Sequence, residues 1–456
     1  MKGYGEYKCT DEFWLPQIPA HWQFQKVKRL FSERIEKGHP DKPLLAATQN
    51  KGVVLKKDYG SRTVEATKDL HLLKLVRQGD FVISLRSFQG GIEYSHADGI
   101  ISPAYTVMIS SSKMVPGYFR YFAKIPCFLD LLKVCVTGIR EGQNVDYKKL
   151  REHSIPIPPR EEQDQIVRYL DAKVGKINQL IRIKQQQIAL LKEKKQAIIN
   201  QAVTKGLDPN APMKDSGIAW IGQIPEGWEV LKIKQVSKIL RGKFNHRPRN
   251  DERLYGGKFP FIQTGDVAQS GKYIESYKQT LNSLGFAVSK EFPIGTLVMT
   301  IAANIGDVSI LKFNACFPDS IVGFIPRCAS IEYLYFLFLA MKPELLKEAP
   351  VNTQGNLNVE RIGQMLIPLP EESIQEAIVQ KLNILDSLYQ KKITIIGEEI
   401  ATLTEYRTRL ISDVVTGKVD VRHINIPDSL TIDIEEDFTT EEAVDGDDAD
   451  TLECEA

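Results

Sequence analysis

Beyond residue 165 the apolar positions fall at 166, 170, 174, 177, 181, 188, 191, 198 and 202. A second series falls at 378, 382, 389, 393, 396, 400, 403, 410 and 414. Steps of three and four are the stripe of a helix that packs against another helix. Pro158 and Pro159 before the first series suit a helix start and would break an interior. Gly206 and Gly417 stand where C-terminal stops are expected. Some 40 helical residues span on the order of 60 Å at about 1.5 Å per residue. Two such stripes can bury each other. An equivalent globular unit precedes each helix, so an antiparallel, pseudo-twofold pairing would put one unit at each end. The alternative is a stripe that binds another protein. Under the first reading Lys192, Lys194 and Lys195 form a solvated face rather than a nucleic-acid patch.

Elsewhere the pattern changes. The runs DFVISL, YTVMI, TLVMTIA and IVGFI read as strands, separated by breaks such as QGG at 89–91 and NIGD at 304–307. The segments 118–133 and 331–348 read as helices. Each unit is therefore mixed α+β around a sheet.

The two halves repeat each other. WLPQIPAHW (Trp14 to Trp22) returns as WIGQIPEGW (Trp220 to Trp228), and these stretches hold all 4 tryptophans. Their plain reading is aromatic anchors that open each unit, rather than stacking platforms for bases. HSIPIPPREEQDQIVRYL from His153 has its counterpart in QMLIPLPEESIQEAIVQKL from Gln364. Pro156, Pro158, Gln163, Ile166, Val167 and Leu170 meet Pro368, Pro370, Gln375, Ile378, Val379 and Leu382 at a constant offset of 212. QAVTKGLD from Gln201 meets DVVTGKVD from Asp413 at the same offset. The middles diverge, with landmarks at GDFVIS against GTLVMT and at Tyr118–Phe122 against Tyr333–Leu337. This is domain duplication, with a variable globular unit followed by a segment of fixed length.

The 456 residues suffice for two or three domains with cores. No apolar run reaches the roughly 18 residues of a spanning helix. The opening MKGYGEYKCTDEF lacks a signal peptide's apolar core, which points to the cytoplasm. The 6 cysteines and 7 histidines form no CxxC or HxxxH pair, so no metal site is expected. The net charge of +1 conceals an asymmetry. Asp428 to Ala456 holds 13 acidic residues and no Lys or Arg, which leaves 59 basic against 45 acidic groups in residues 1–427, or +14. A basic body suggests a polyanion partner. The acidic tail reads as a disordered solubilising segment rather than a regulatory one.

Two kinds of loop carry candidate chemistry. LRSFQGGIEYS (Leu85 to Ser95) sets Arg86 and Gln89 beside glycines straight after a strand. TGIREGQN offers Arg140, Gln143 and Asn144, and its partner NTQGNLN offers Gln354 and Asn356. Arg, Gln and Asn can bond base edges bidentately, and the amides of Gly-rich loops can reach phosphates. In the second unit RGKFNHRPRN carries Arg241, Lys243, Arg247 and Arg249, and Asn304 lies in the NIGD loop. Each is equally readable as surface or turn. No GxxxxGK[ST], dinucleotide fingerprint, Asn-Pro-Pro-aromatic tetrapeptide or GxSxG is present, which favours a recognition protein over an enzyme.

DSGIAWIGQIPEGWEV (from Asp215), SLRSFQGGIEYS (from Ser84), TGIREGQN (from Thr137) followed by IPIPPREEQDQIVRYLD (from Ile155), and IPLPEESIQEAIV (from Ile367) together resemble the specificity subunit of Type I restriction–modification systems, over residues from about 12 to 422. The resemblance implies two target-recognition domains, each reading one half of an asymmetric DNA sequence, and two antiparallel coiled-coil helices that set the spacer. The boundaries follow: 1–157 and 208–369 for the recognition domains, 158–207 and 370–422 for the helices, 423–456 for the tail. It implies no catalytic residue and no cofactor on this chain. The expected partners are double-stranded DNA, two modification subunits with S-adenosylmethionine that methylate adenine, and restriction subunits with ATP and Mg, with no membrane. The site residues expected are Arg86, Gln89, Arg140, Gln143 and Asn144 in the first unit. In the second they are Lys243, Arg247, Arg249, Asn304, Gln354 and Asn356. The tail is a departure from the family pattern. TIAANIGDVS replaces the Arg-Ser-Phe-Gln loop in the second unit, so the halves should read different sequences. A self-sufficient nuclease or methyltransferase and a DNA-free coiled-coil scaffold are the competing functions.

Overall fold

The two apolar stripes form two long helices, Arg160–Lys205 and Glu372–Val415, of 46 and 44 residues. The computed structural model describes residues 2–59, 69–137, 144–302, 304–347 and 357–426. The chain divides into two units, residues 1–185 with 397–456 and residues 186–396. Each unit therefore owns one globular domain, the start of the long helix that follows it, and the end of the other long helix.

Within the first unit the helices run antiparallel. Arg407 donates to Asn178 Oδ1 at 2.8 Å, and Lys184 meets Glu399 at 2.5 Å, so one number rises as the other falls. Val174, Ile177 and Ile181 share a buried core with Leu410 and Val414. In the second unit Lys195 pairs with Asp386 at 2.5 Å, and Ile199 and Val203 share a core with Ile378 and Leu382. Lys195 thus leaves the solvated face expected for it, while Lys192 and Lys194 stay exposed. The second long helix ends at Val415, and Gln165 Nε2 donates to the carbonyls of Val421 and Ile424 at 3.1 and 2.8 Å.

The first unit is built on an antiparallel sheet in the order Phe31–Arg34, Thr106–Ser110, Phe81–Ile83, Glu93–Tyr94. Its buried rings pack on two helices, Pro116–Phe122 and Pro126–Val134. The Phe119 ring lies 4.5 Å from that of Phe31 and 4.8 Å from that of Phe81. One helix was expected over 118–133. Pro126 divides it, because a proline disfavours helical backbone in the residue before it and suits the first turn of a new helix.

The second unit has a five-stranded sheet in the order Ser237–Arg241, Ile321–Pro326, Leu297–Thr300, Val308–Leu311, Tyr273–Ile274. A four-stranded sheet lies alongside, in the order Gln279–Leu281, Tyr255–Phe261, Ala315–Cys316, Glu291–Phe292. The helix Ile331–Lys347 buries Tyr333, Leu334, Phe336 and Leu337 against the first of these sheets. In both units the proline-bearing strand before the long helix is one of a simple pair, Ser154–Ile157 on Gln23–Lys26 and Leu366–Leu369 on Glu229–Lys232. Such an edge tolerates a residue without an N–H.

The repeated residues are the joints between helices and domains. Gln163, 1% exposed, donates to the carbonyls of Pro158 (2.9 Å) and Lys113 (3.0 Å) and accepts from the Val115 amide (2.8 Å). Gln375, 2% exposed, donates to Pro370 O and accepts from the Ser330 amide, both at 2.8 Å. Tyr118 hydroxyl donates to Val415 O at 2.9 Å, and Tyr333 hydroxyl to Val203 O at 3.2 Å. The QIP–Trp phrases close the helix ends. A Cβ on Gly417 would sit 2.4 Å from Pro19 and 3.1 Å from Trp22, and one on Gly206 would sit 3.3 Å from Trp228 and 3.7 Å from Pro225. Both glycines have positive φ, 77° and 76°, the left-handed C-terminal stop. Each QIP–Trp phrase therefore seats the last turn of the helix that began in the other half of the sequence.

Gln375→Ala strands the Ser330 amide and the Pro370 carbonyl in a dry site. It should cost about 2 kcal/mol or more, read as a lower urea midpoint for the unit. Gly417→Ala should also destabilise, by about 1 kcal/mol for the left-handed backbone plus the clash with Pro19. An unchanged midpoint in either variant would contradict the role given to these joints.

Candidate nucleic-acid interface

In the first unit the chain leaves strand Phe81–Ile83 and turns on Ser87, which is buried and accepts from the Ser84 amide at 2.8 Å. The short helical turn Ser87–Gly90 leaves Arg86 and Gln89 exposed. The glycines do not serve phosphates. Gly90 and Gly91 amides already donate to Arg86 O (3.3 Å) and Ser87 O (2.8 Å). A Cβ on Gly91 would lie 2.3 Å from Ala123 O, so these glycines exist for close packing on the helical layer.

The same turn lies beside strand Asn144–Val145, which pairs with Val136–Thr137 and forms the base of the TGIREGQN loop. The structure thus brings together Arg86, Gln89 and half-buried Asn144, while Arg140 and Gln143 lie outside the described residues. A third loop joins them. The hairpin Leu45–Thr48 with Gly52–Leu55 turns at Gln49 and Asn50, both exposed, and Gln49 packs on Gly90. Sequence reading passed over this turn, although Asn-Lys-Gly between LAAT and GVVL is a hairpin signal.

Beneath these loops Lys124 donates to Gln49 O (3.2 Å), Gly90 O (2.9 Å) and both carboxylate oxygens of Glu93 (2.7 Å each). Glu93 is 1% exposed, and burial lifts its carboxyl to about 7 in spite of Lys124.

In the second unit the equivalent loop leaves strand Leu297–Thr300 and exposes Asn304. Leu357, at the base of NTQGNLN, donates its amide to Ile301 O at 3.0 Å, so these two loops also converge. Gln354 and Asn356 lie outside the described residues. The basic loop meets them through one turn. Ile301 amide donates to Ser320 O at 3.0 Å, and the neighbouring Asp319 holds the arginines. Arg249 donates to its carboxylate, Arg247 lies 3.8 Å from it, and Arg241 Nε donates to its carbonyl at 2.7 Å. One carboxylate against three guanidiniums leaves the patch positive. Lys243 is exposed at its foot, with its amide on Phe317 O at 3.0 Å. Among the described residues no group of three or more His, Cys, Asp or Glu could hold a metal ion, and no helix is long and apolar enough to cross a membrane.

Glu93 sets a pH dependence. The folded unit holds its proton more tightly than an open chain, where the carboxyl has its ordinary value of 4.5. Its stabilising contribution is complete below that value and is lost as pH rises to about 7. Glu93→Gln should flatten the fall in urea stability across this window by up to about 3 kcal/mol. An unaltered slope between pH 4.5 and 8 would contradict it.

A family model described as the type I restriction modification DNA specificity domain matches residues 24–192 and again 225–405. The type I restriction enzyme MjaVIII specificity subunit of Methanocaldococcus jannaschii is 25% identical over 369 residues, 77% of this chain and 81% of its own length. A second chain of that organism, named for the type I restriction enzyme MjaX, is 23% identical over 438 residues, 89% of this chain and 95% of its own. A solved structure described under complex assembly and conformational transition of the type I R-M system superposes with a TM-score of 0.66 at 17% identity, covering 88% of this chain and 99% of that one, and so shares the fold. With the specificity domain present twice, this chain belongs to the type I restriction–modification specificity subunits, the DNA-recognition components that carry no catalytic site of their own.

Proposed function

We propose that each unit reads one half of a split, asymmetric sequence in double-stranded DNA, and that the long helices set the number of unread base pairs between the halves. The chain then directs adenine methylation by two modification subunits carrying S-adenosylmethionine, and cleavage by restriction subunits using ATP and Mg, in the cytoplasm. The observation that carries this reading is the convergence, in each unit, of the loop after the central strand with the loop before the proline strand. The side chains offered differ between the units: Arg86, Gln89 and Asn144 with Gln49 and Asn50 in one, Asn304 with Arg247, Arg249 and Lys243 in the other. Different side chains on one framework suit two different half-sites. Exposed apolar residues on the long helices, Leu190 at 63% and Ile384 at 70% with Leu180, Ile183 and Leu388, support docking of the modification subunits.

The test is methylation-sensitive long-read sequencing of DNA from cells that express the chain with its methyltransferase partner, against the partner alone. A split adenine motif that requires this chain is the expected result. The absence of such a motif, with both proteins soluble and associated, would favour the scaffold reading.

Arg249 spends one arm of its guanidinium on Asp319, so it cannot present a free fork to a base. Arg249→Ala should weaken binding to all sequences alike and reduce the salt dependence of log K by about 1, as for a lost phosphate contact. Relaxation of one half-site at an unchanged salt slope would make Arg249 a base reader instead.

A further inference from the structure

The two units share a device that neither the repeat pattern nor the loop motifs disclose. In the first, Glu93 stands where the recognition loop returns to the sheet, two residues before the buried Ser95. In the second, Asp307 stands at the loop end of the return strand Val308–Leu311, two residues before the buried Ser309, which faces Val298 in the register where Glu93 faces Val82. Each acid is taken by a lysine of the helical layer. Lys124 comes from the break between helices Pro116–Phe122 and Pro126–Val134, and Lys342 from helix Ile331–Lys347. The lysines differ in setting, but both hold the returning limb of the loop. Each loop also presses a glycine on its lysine. A Cβ on Gly91 would meet Lys124 Cδ at 3.0 Å, and one on Gly306 would meet Lys342 Cγ at 3.1 Å.

Neither lysine is disposed as a DNA contact. An ammonium has three donors, and Lys124 has four acceptor atoms within 3.2 Å. Two of these are backbone carbonyls, of Gln49 and Gly90, so one side chain ties the hairpin turn, the recognition loop and Glu93 together. In the second unit Lys342 is 40% exposed, yet its ammonium is directed to the Asp307 carboxylate. Gly306 amide closes the loop on Thr300 O at 2.9 Å.

We propose that Lys124 and Lys342 are positioning residues for sequence readout, each latching the recognition loop of its own unit to the helical layer at the acid that ends the loop. This assignment rests on the reading of the two units as half-site readers. Without the latch the backbone beneath Arg86 and Gln89, or beneath Asn304, gains freedom. A contact that must hold its direction to discriminate bases then loses selectivity, while the phosphate contacts that set general affinity persist.

The experiment compares the full chain with Lys124→Met and Lys342→Met, each with its methyltransferase partner, by long-read methylation sequencing and by salt titration of binding to a duplex bearing the wild-type motif. Lys124→Met should lower discrimination at the first unit's half-site by about tenfold and leave the other half-site intact. Lys342→Met should do the reverse. Both should keep the wild-type salt slope. Because the Lys342–Asp307 pair is partly exposed, that variant tests the assignment even if Lys124→Met folds poorly. Wild-type stringency at both half-sites, equal weakening of both, or a salt slope reduced by about 1 would each overturn the assignment. A wild-type complex that marks no split motif would overturn the half-site reading on which it rests.

Discussion

The constraint on which the rest depends is that each long helix is gripped at both ends by buried contacts. Gln163 and Gln375 tie the starts to the preceding domains. Pro19 and Trp22 on Gly417, and Pro225 and Trp228 on Gly206, seat the ends. A buried glutamine with satisfied amide and carbonyl is an all-or-none joint, since a slip of one residue would leave polar groups dry and unpaired. Inserting or deleting residues in either helix would move a gripped end out of its seat or out of phase with the antiparallel partner. That is a physical reason for the constant offset of 212 between matching residues from Pro156 to Asp208 and from Pro368 to Asp420.

The recognition loops depend on the same framework at one remove. They leave the sheet at Ser84 and Thr300 and rest on helices that are themselves bonded to the long-helix ends through Tyr118 and Tyr333. The framework repeats, while the exposed side chains do not. The first unit shows Arg86 and Gln89 above a Lys124–Glu93 pair. The second shows Asn304 beside arginines organised by Asp319. Shared joints with unlike surfaces are what a duplicated protein needs if its copies are to read different things.

Much of this framework was legible in the chain. The helices follow from stripes that only a 3.6-residue period explains, and the strands Phe81–Ile83, Thr106–Ser110, Leu297–Thr300 and Ile321–Pro326 from short β-branched runs. The meaning of the QIP–Trp phrase was only half legible. Burial of an aromatic anchor could be expected, but not that the first phrase seats Gly417, some 395 residues beyond Trp22, because no local pattern reports a long-range partner. The same blindness hid Asp319 beneath Arg241, Arg247 and Arg249, 70 or more residues distant. It also hid Lys124, whose acid lies 31 residues earlier. The Gly-Gly of the first loop was misjudged because close packing and phosphate approach demand the same residue type. Arg140, Gln143, Gln354 and Asn356 lie outside the described residues, so their part in the interface rests on sequence.

The most direct measurement of the central claim removes seven residues from the middle of each long helix. Two turns keep the apolar stripe in phase and shorten each helix by about 10 Å. At about 3.4 Å per base pair the methylated motif should lose about three unread base pairs, with both half-sites unchanged. An unaltered spacer, or altered half-site bases, in a soluble and associated complex would contradict the account.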